Sequence, residues 1–171
     1  MWIRRTYHEC AQELSATSNE FRLAYKSSEN VLPRHEREDI VRQASMQGVE
    51  LLRILALSVR SDQDYGLTAI NRTTVGAVKS GVNELDVVET GRNYQPPYSD
   101  LKDFEPLGLR QALNKIAYLN PSRSAFFADE SHHDLIVSGS EQKQGQMWIA
   151  IISIIDLCCV IEQLPDAAIR K

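Results

Sequence analysis

The chain has 171 residues, 43% of them hydrophobic and 25% charged, with a formal net charge of −4; this composition suits one globular domain with a real core and indicates neither a disordered nor a membrane protein. The most apolar run, residues 147–155, falls short of the roughly 18 residues that a membrane span needs, so no membrane partner is expected. No third of the chain carries a marked basic surplus, which disfavours duplex DNA as a partner.

The opening "MWIRRTYHEC" is charged without an apolar stretch behind it and does not read as a secretory signal. Ile3, Tyr7, Cys10, Leu14, Thr17, Phe21 and Ala24 then alternate spacings of four and three, the seam of an amphipathic helix. "KSSEN" ends it, and Pro33 suits the first turn of a second helix running to about Arg60. The end of that helix, "LLRILALSV", is apolar on nearly every side and belongs in the centre of the fold. The two helices are expected to pair antiparallel through a short link.

Residues 61–106 are punctuated by four glycines and the Pro96–Pro97 pair. They read as an irregular excursion within a single domain spanning 1–171, with "LTAINRTTVGAVKS" as a short helix and "LDVVETG" as a short strand. In "LRQALNKIAYLN", residues 109–120, Leu109, Leu113, Ile116 and Ala117 form a helical stripe that "NPS" stops. A polar link leads into "HDLIVSGSEQKQGQMWIAIIS", two β-prone runs around a turn, which predicts a β-hairpin. "IIDLCCVIEQLP" predicts a terminal helix closed by Pro165. The expected fold is therefore mainly α: a helical bundle with a C-terminal β-hairpin and a short terminal helix.

Cys10, Cys158 and Cys159 form no disulfide pattern and read as buried free thiols, which fits a cytoplasmic protein. His132 and His133 are consecutive and would point to opposite faces of a strand, and adjacent cysteines lack the spacing of a zinc pair. No metal and no cofactor is expected, because phosphate loops and nucleophile elbows are missing as well. One row remains. Arg110, Asn114 and Tyr118 recur every four residues along one flank of a helix. An arginine can hold a phosphate, an amide can fix orientation and a phenol can donate a hydrogen bond. Long amphipathic side chains also suit the boundary of any amphipathic helix.

The stretch "LRQALNKIAYLNPSRSAFFAD", with the hairpin and final helix behind it, resembles small bacterial, phage and mobile-element proteins of the pattern "LREACNKIIHA", relatives of the HEPN superfamily. The resemblance covers about residues 107–164. It implies a HEPN-like bundle and a homodimer, in a group where many members are metal-independent ribonucleases of toxin–antitoxin and phage-defence systems. Arg110 and Asn114 match the motif, but Tyr118 stands where a histidine belongs. A phenol titrates at about 10 and is a poor general base at neutral pH, whereas imidazole titrates in the useful range.

The resemblance therefore implies a non-catalytic interaction or RNA-binding protein of a mobile-element or defence system, with Arg110 on phosphate, Tyr118 stacking and Asn114 positioning. Two alternatives stay open. One is an active endoribonuclease using Arg110 with Tyr118 or His132; the other is a structural helical adaptor. A dimer is expected because the helix carrying Arg110 and Tyr118 would otherwise expose apolar surface beside that row.

Overall fold

A computed structural model describes residues 6–27, 31–69, 72–141 and 145–165. Thr6 starts the first helix: its side chain accepts from the Glu9 N–H, and Glu9 accepts from the Thr6 N–H in return. That helix, α1 (Tyr7–Lys26), buries Tyr7, Cys10, Leu14, Thr17, Phe21 and Ala24, the seam read in the sequence. Ile3, its expected first member, lies outside the described residues. Helix α2 (Arg34–Asp64) runs back alongside, one turn longer than expected. The pairing is antiparallel: the Tyr7 hydroxyl donates to Asp62, and Gln47 donates to Glu13 at 3.0 Å.

Residues 61–106 are not an irregular excursion. They supply β1 (Thr74–Val82), α3 (Glu84–Asn93) and β2 (Glu105–Gly108). Both local readings are reversed here. Val75, Val78 and Val82 have spacing that a helix also allows, yet the segment is a strand lying between two others. Gly76 lets that happen, since a Cβ there would collide with the Ile151 carbonyl oxygen of the neighbouring strand. "LDVVETG" looks β-prone, but Asn83 and Asp86 exchange side-chain-to-backbone hydrogen bonds of 2.9 Å in each direction and nucleate a helix.

The rest of the chain forms α4 (Leu109–Ala117), β3 (Ser124–Ala128), β4 (His133–Ser140), β5 (Met147–Ser153) and α5 (Ile154–Glu162). The five strands make one antiparallel sheet in the order β2-β1-β5-β4-β3. The expected hairpin exists as β4–β5, its turn residues 142–144 lying outside the described residues. It is not an appendage, because β5 is the middle strand of the sheet. Strand β3 occupies part of what read as a polar link.

The mainly α expectation is thus corrected to a mixed α/β fold, and the reason is visible in "WIAII". Trp148, Ala150 and Ile152 face a core shared with α1, α2, α4 and α5. Ile149 and Ile151 face a second core built with Tyr94, Val87 and Phe104. A strand apolar on both sides needs cover on both sides, and a hairpin attached to a bundle has cover on one. Helix α3 and residues 94–104 provide the second layer. They are tied down by the Tyr94 hydroxyl donating to Asp134 at 2.6 Å and the Tyr98 hydroxyl donating to Asp156 at 2.8 Å. The all-helical plan implied by the HEPN resemblance does not hold for this chain.

Candidate functional site

Helix α4 follows β2 with no loop between them. Its inward residues Leu109, Ala112, Leu113 and Ile116 are fully buried in the main core. The chain covers this apolar face by itself, so the expected reason for a dimer at α4 falls away. The structure then separates Arg110 from the other two residues of the row.

Arg110 reaches back to the end of α2. Its Nη1 donates to the Arg60 carbonyl at 3.0 Å and to Gln63 Oε1 at 3.2 Å, and its Nη2 donates to Asp64 Oδ1 at 2.6 Å. A guanidinium suits the negative end of a helix, and here it clasps α4 to α2. Tyr118 lies just beyond the last helical residue and is 79% exposed, with the Arg60 guanidinium 5.7 Å from its ring centre. His132, the other proposed partner of Arg110, bonds Asp129 across the β3–β4 turn at 3.0 Å and sits beside Lys26. Lys26 is at the opposite end of α1 from the Tyr7–Asp62 contact, roughly 28 Å along the helix. Arg110 and His132 are therefore not brought together.

Asn114 shares an open space with Tyr118. It lines a cleft of about 760 Å³ between α4 and the sheet, a volume in the range of small-molecule sites. Its Oδ1 is buried and has no hydrogen-bond donor among the described residues. Next to it the Lys115 ammonium sits 3.6 Å from the centre of the Trp148 ring, a close cation–π contact. The indole can lie flat because Gly139 is its cross-strand neighbour: a Cβ at Gly139 would be 2.6 Å from Trp148 Cζ2. Burial lowers the Lys115 pKa from its ordinary value, against the pull of Glu141. Glu105 and Glu141 bring carboxylates to the cleft lining, and Gln111 adds an amide.

Reading the row in the sequence found Asn114 and missed Lys115 and Trp148. The missed signal was the register of the hairpin, which sets a glycine opposite a tryptophan. The other polar groups singled out lead separate lives. His133 Nδ1 is 2.8 Å from Ser18 Oγ, and its ring stacks on Phe21 at 4.8 Å, while Asp134 points to the opposite face. Among the described residues no group of three or more His, Cys, Asp or Glu side chains is placed to hold a metal. Cys10 and Cys158 are buried, but Cys159 is exposed, contrary to expectation.

Comparison with protein-family models, with curated proteins and with solved structures gave no match. Among the described residues no helix is long and apolar enough to cross a membrane. The α4 cleft is therefore read from its own chemistry. It offers an orphaned acceptor, two carboxylates, one ammonium and an aromatic floor, an arrangement suited to holding a polar molecule.

Proposed function

We propose that this is a non-catalytic binding protein whose α4 cleft takes a small, donor-rich polar molecule, of the size of a sugar or an amine. The observation that carries this reading is Asn114, which lines an open cleft and whose buried Oδ1 has no donor among the described residues. A buried acceptor left unpaired costs about 1–3 kcal/mol, which a hydroxyl or amine of a ligand would recover. Glu105 and Glu141 add acceptors for the same kind of ligand, and Lys115 supplies the complementary donor.

The test is thermal unfolding with a panel of monosaccharides, aminosugars and short primary amines, read with tryptophan fluorescence in a Trp2→Phe background. A ligand at about 100 times its Kd stabilises the folded chain by ~2.7 kcal/mol. Asn114→Leu removes an unpaired polar atom, so it is expected to leave the free protein at least as stable while abolishing the ligand response. A panel with no effect, or a response that persists in Asn114→Leu, overturns the reading.

A second reading rests on Tyr118, exposed beside Arg60, as a stacking platform for single-stranded RNA. It takes the phosphate role away from Arg110, which is engaged on α2. Loss of salt-dependent RNA retention in Tyr118→Ala supports it, and unchanged retention sinks it.

A further inference from the structure

Helix α2 turns one long face away from the core. Met46 and Leu57 on that face are 70% and 62% exposed, and Ile54 beside them is 38% exposed. Isolated exposed apolar residues need no explanation. These belong to a pattern, however. Met46, Glu50, Arg53 and Leu57 follow at spacings of four, three and four, the interval of a helix–helix seam. The same alternation continues outward to Gln43 and Asp39 on one side and to Arg60 and Asp64 on the other.

Read from its midpoint between Leu51 and Leu52, this seam is self-complementary when run against itself. Glu50 is as far on one side as Arg53 is on the other, and Met46 mirrors Leu57. Gln43 mirrors Arg60, an amide against a guanidinium. The outermost mirror pair, Asp39 and Asp64, is like-charged, but each carboxylate already has its own arginine, Arg42 at 2.8 Å and Arg110 at 2.6 Å. In contrast, neither Glu50 nor Arg53 has an ion-pair or hydrogen-bond partner among the described residues. A two-fold contact pairs residue i with residue j and j with i, and the mirror spacing of this seam matches that pairing.

We infer that α2 is a homodimer interface in which two copies of the helix pack antiparallel, centred between Leu51 and Leu52. Glu50 faces the partner's Arg53, and Arg53 faces the partner's Glu50. Met46 and the partner's Leu57 pack on either side of that pair, so the exposed apolar residues of a helix roughly 46 Å long are covered. This interface does not depend on the α4 cleft or its ligand.

Charge reversal tests it on the full chain, with mass measured by light scattering and sedimentation from micromolar to several hundred micromolar protein. The wild type is expected to show twice the chain mass at the upper end. Glu50→Arg sets arginine against arginine and Arg53→Glu sets glutamate against glutamate, so each alone is expected to weaken dimerisation by about tenfold or more. Both positions are exposed, and circular dichroism checks that each variant is folded. Mixing the two variants is the decisive step: every chain then meets its opposite, and a heterodimer is expected at wild-type concentration. A wild type that stays monomeric throughout overturns the proposal and leaves the seam to a different protein. Single variants that dimerise as well as the wild type overturn it too, as does a mixture that remains monomeric.

Discussion

The two faces of the sheet are held by different means. On the helix side, four helices cover Val75, Val137, Ala150 and Ile152, and residues such as Leu109, Leu113 and Ile116 are completely buried. On the other side the cover is thin. Helix α3 has no buried residue of its own, and residues 94–104 lie across Ile136, Ile149 and Ile151 with mainly aromatic contacts. Two phenol–carboxylate hydrogen bonds fasten this cover, one of them to a carboxyl that is 1% exposed. The helix face depends on apolar area, which is insensitive to any one contact's geometry. The α3 face depends on a few directional bonds, and such a layer opens more easily as a unit.

The largest break is expected on the helix face. Leu113→Ala leaves a cavity where α4 meets the main core, and a substitution of this kind costs ~2–5 kcal/mol. Urea denaturation should register it as a lower midpoint with an unchanged slope, since the whole fold loses stability together. A loss under ~1 kcal/mol would show that α4 collapses into the space, and that the helix face is looser than its burial implies.

A smaller and more local effect is expected from Tyr94→Phe. The ring stays, but Asp134 no longer receives the hydroxyl at 2.6 Å. Leaving that buried carboxyl short of a donor costs ~1–3 kcal/mol. Native-state hydrogen exchange locates the damage: amides of residues 84–104 should lose protection well before those of α1 and α2. Uniform loss across both layers would mean that the cover does not open separately, and the contrast between the faces would fail.

The same contrast explains what could be read from the sequence. Helix α1 has one wet face and one dry face, and Tyr7, Cys10, Leu14 and Phe21 record it in their spacing, whereas the end of α2 reads as apolar all round and yet leaves Ile54 and Leu57 exposed. Leu109, Leu113 and Ile116 of α4 keep such a record too. The second layer left no such record. Val75, Val78 and Val82 follow the helical spacings of three and four, and the neighbours that make the segment a strand, Ile151 on one side and Leu107 on the other, are remote in sequence. "LDVVETG" sits half exposed on a covered sheet, so its two valines say little, while Asn83 and Asp86 carried a helix-start signal that went unread. The α4 row was legible as a row only. Arg110 took its partners from α2 and Asn114 its surroundings from β1, β2 and β5, and helical spacing within α4 contains neither fact. Lys115 was the more exposed of these misses, because only the Gly139–Trp148 register gives it an aromatic ring to sit on.

At neutral pH the smallest changes are expected at two adjacent residues, which test the two faces against each other. His133 points to the helix side, packed on Phe21 and bonded to Ser18; burial and the nearby Arg22 push its pKa down from 6.5 to about 4. Asp134 points to the α3 side, and burial raises its carboxyl above the ordinary 3.8, with the Tyr94 hydrogen bond opposing. The signs are opposite. The unfolded chain protonates His133 before the folded one does, so stability present above pH 6.5 is lost as the pH falls toward 4. Asp134 is protonated more readily in the folded chain, so its penalty is full at neutral pH and disappears as the pH falls toward 3.8. Urea midpoints measured across this range should separate them. His133→Phe, which keeps the stacked ring, is expected to flatten the acid loss by at most about 1.4 kcal/mol per pH unit. Asp134→Asn, which can still accept from Tyr94, is expected to match or exceed the wild type at pH 7 and to lose that advantage in acid. Parallel shifts of both variants across the pH range would mean that neither group titrates with folding, and the faces would then differ in packing alone.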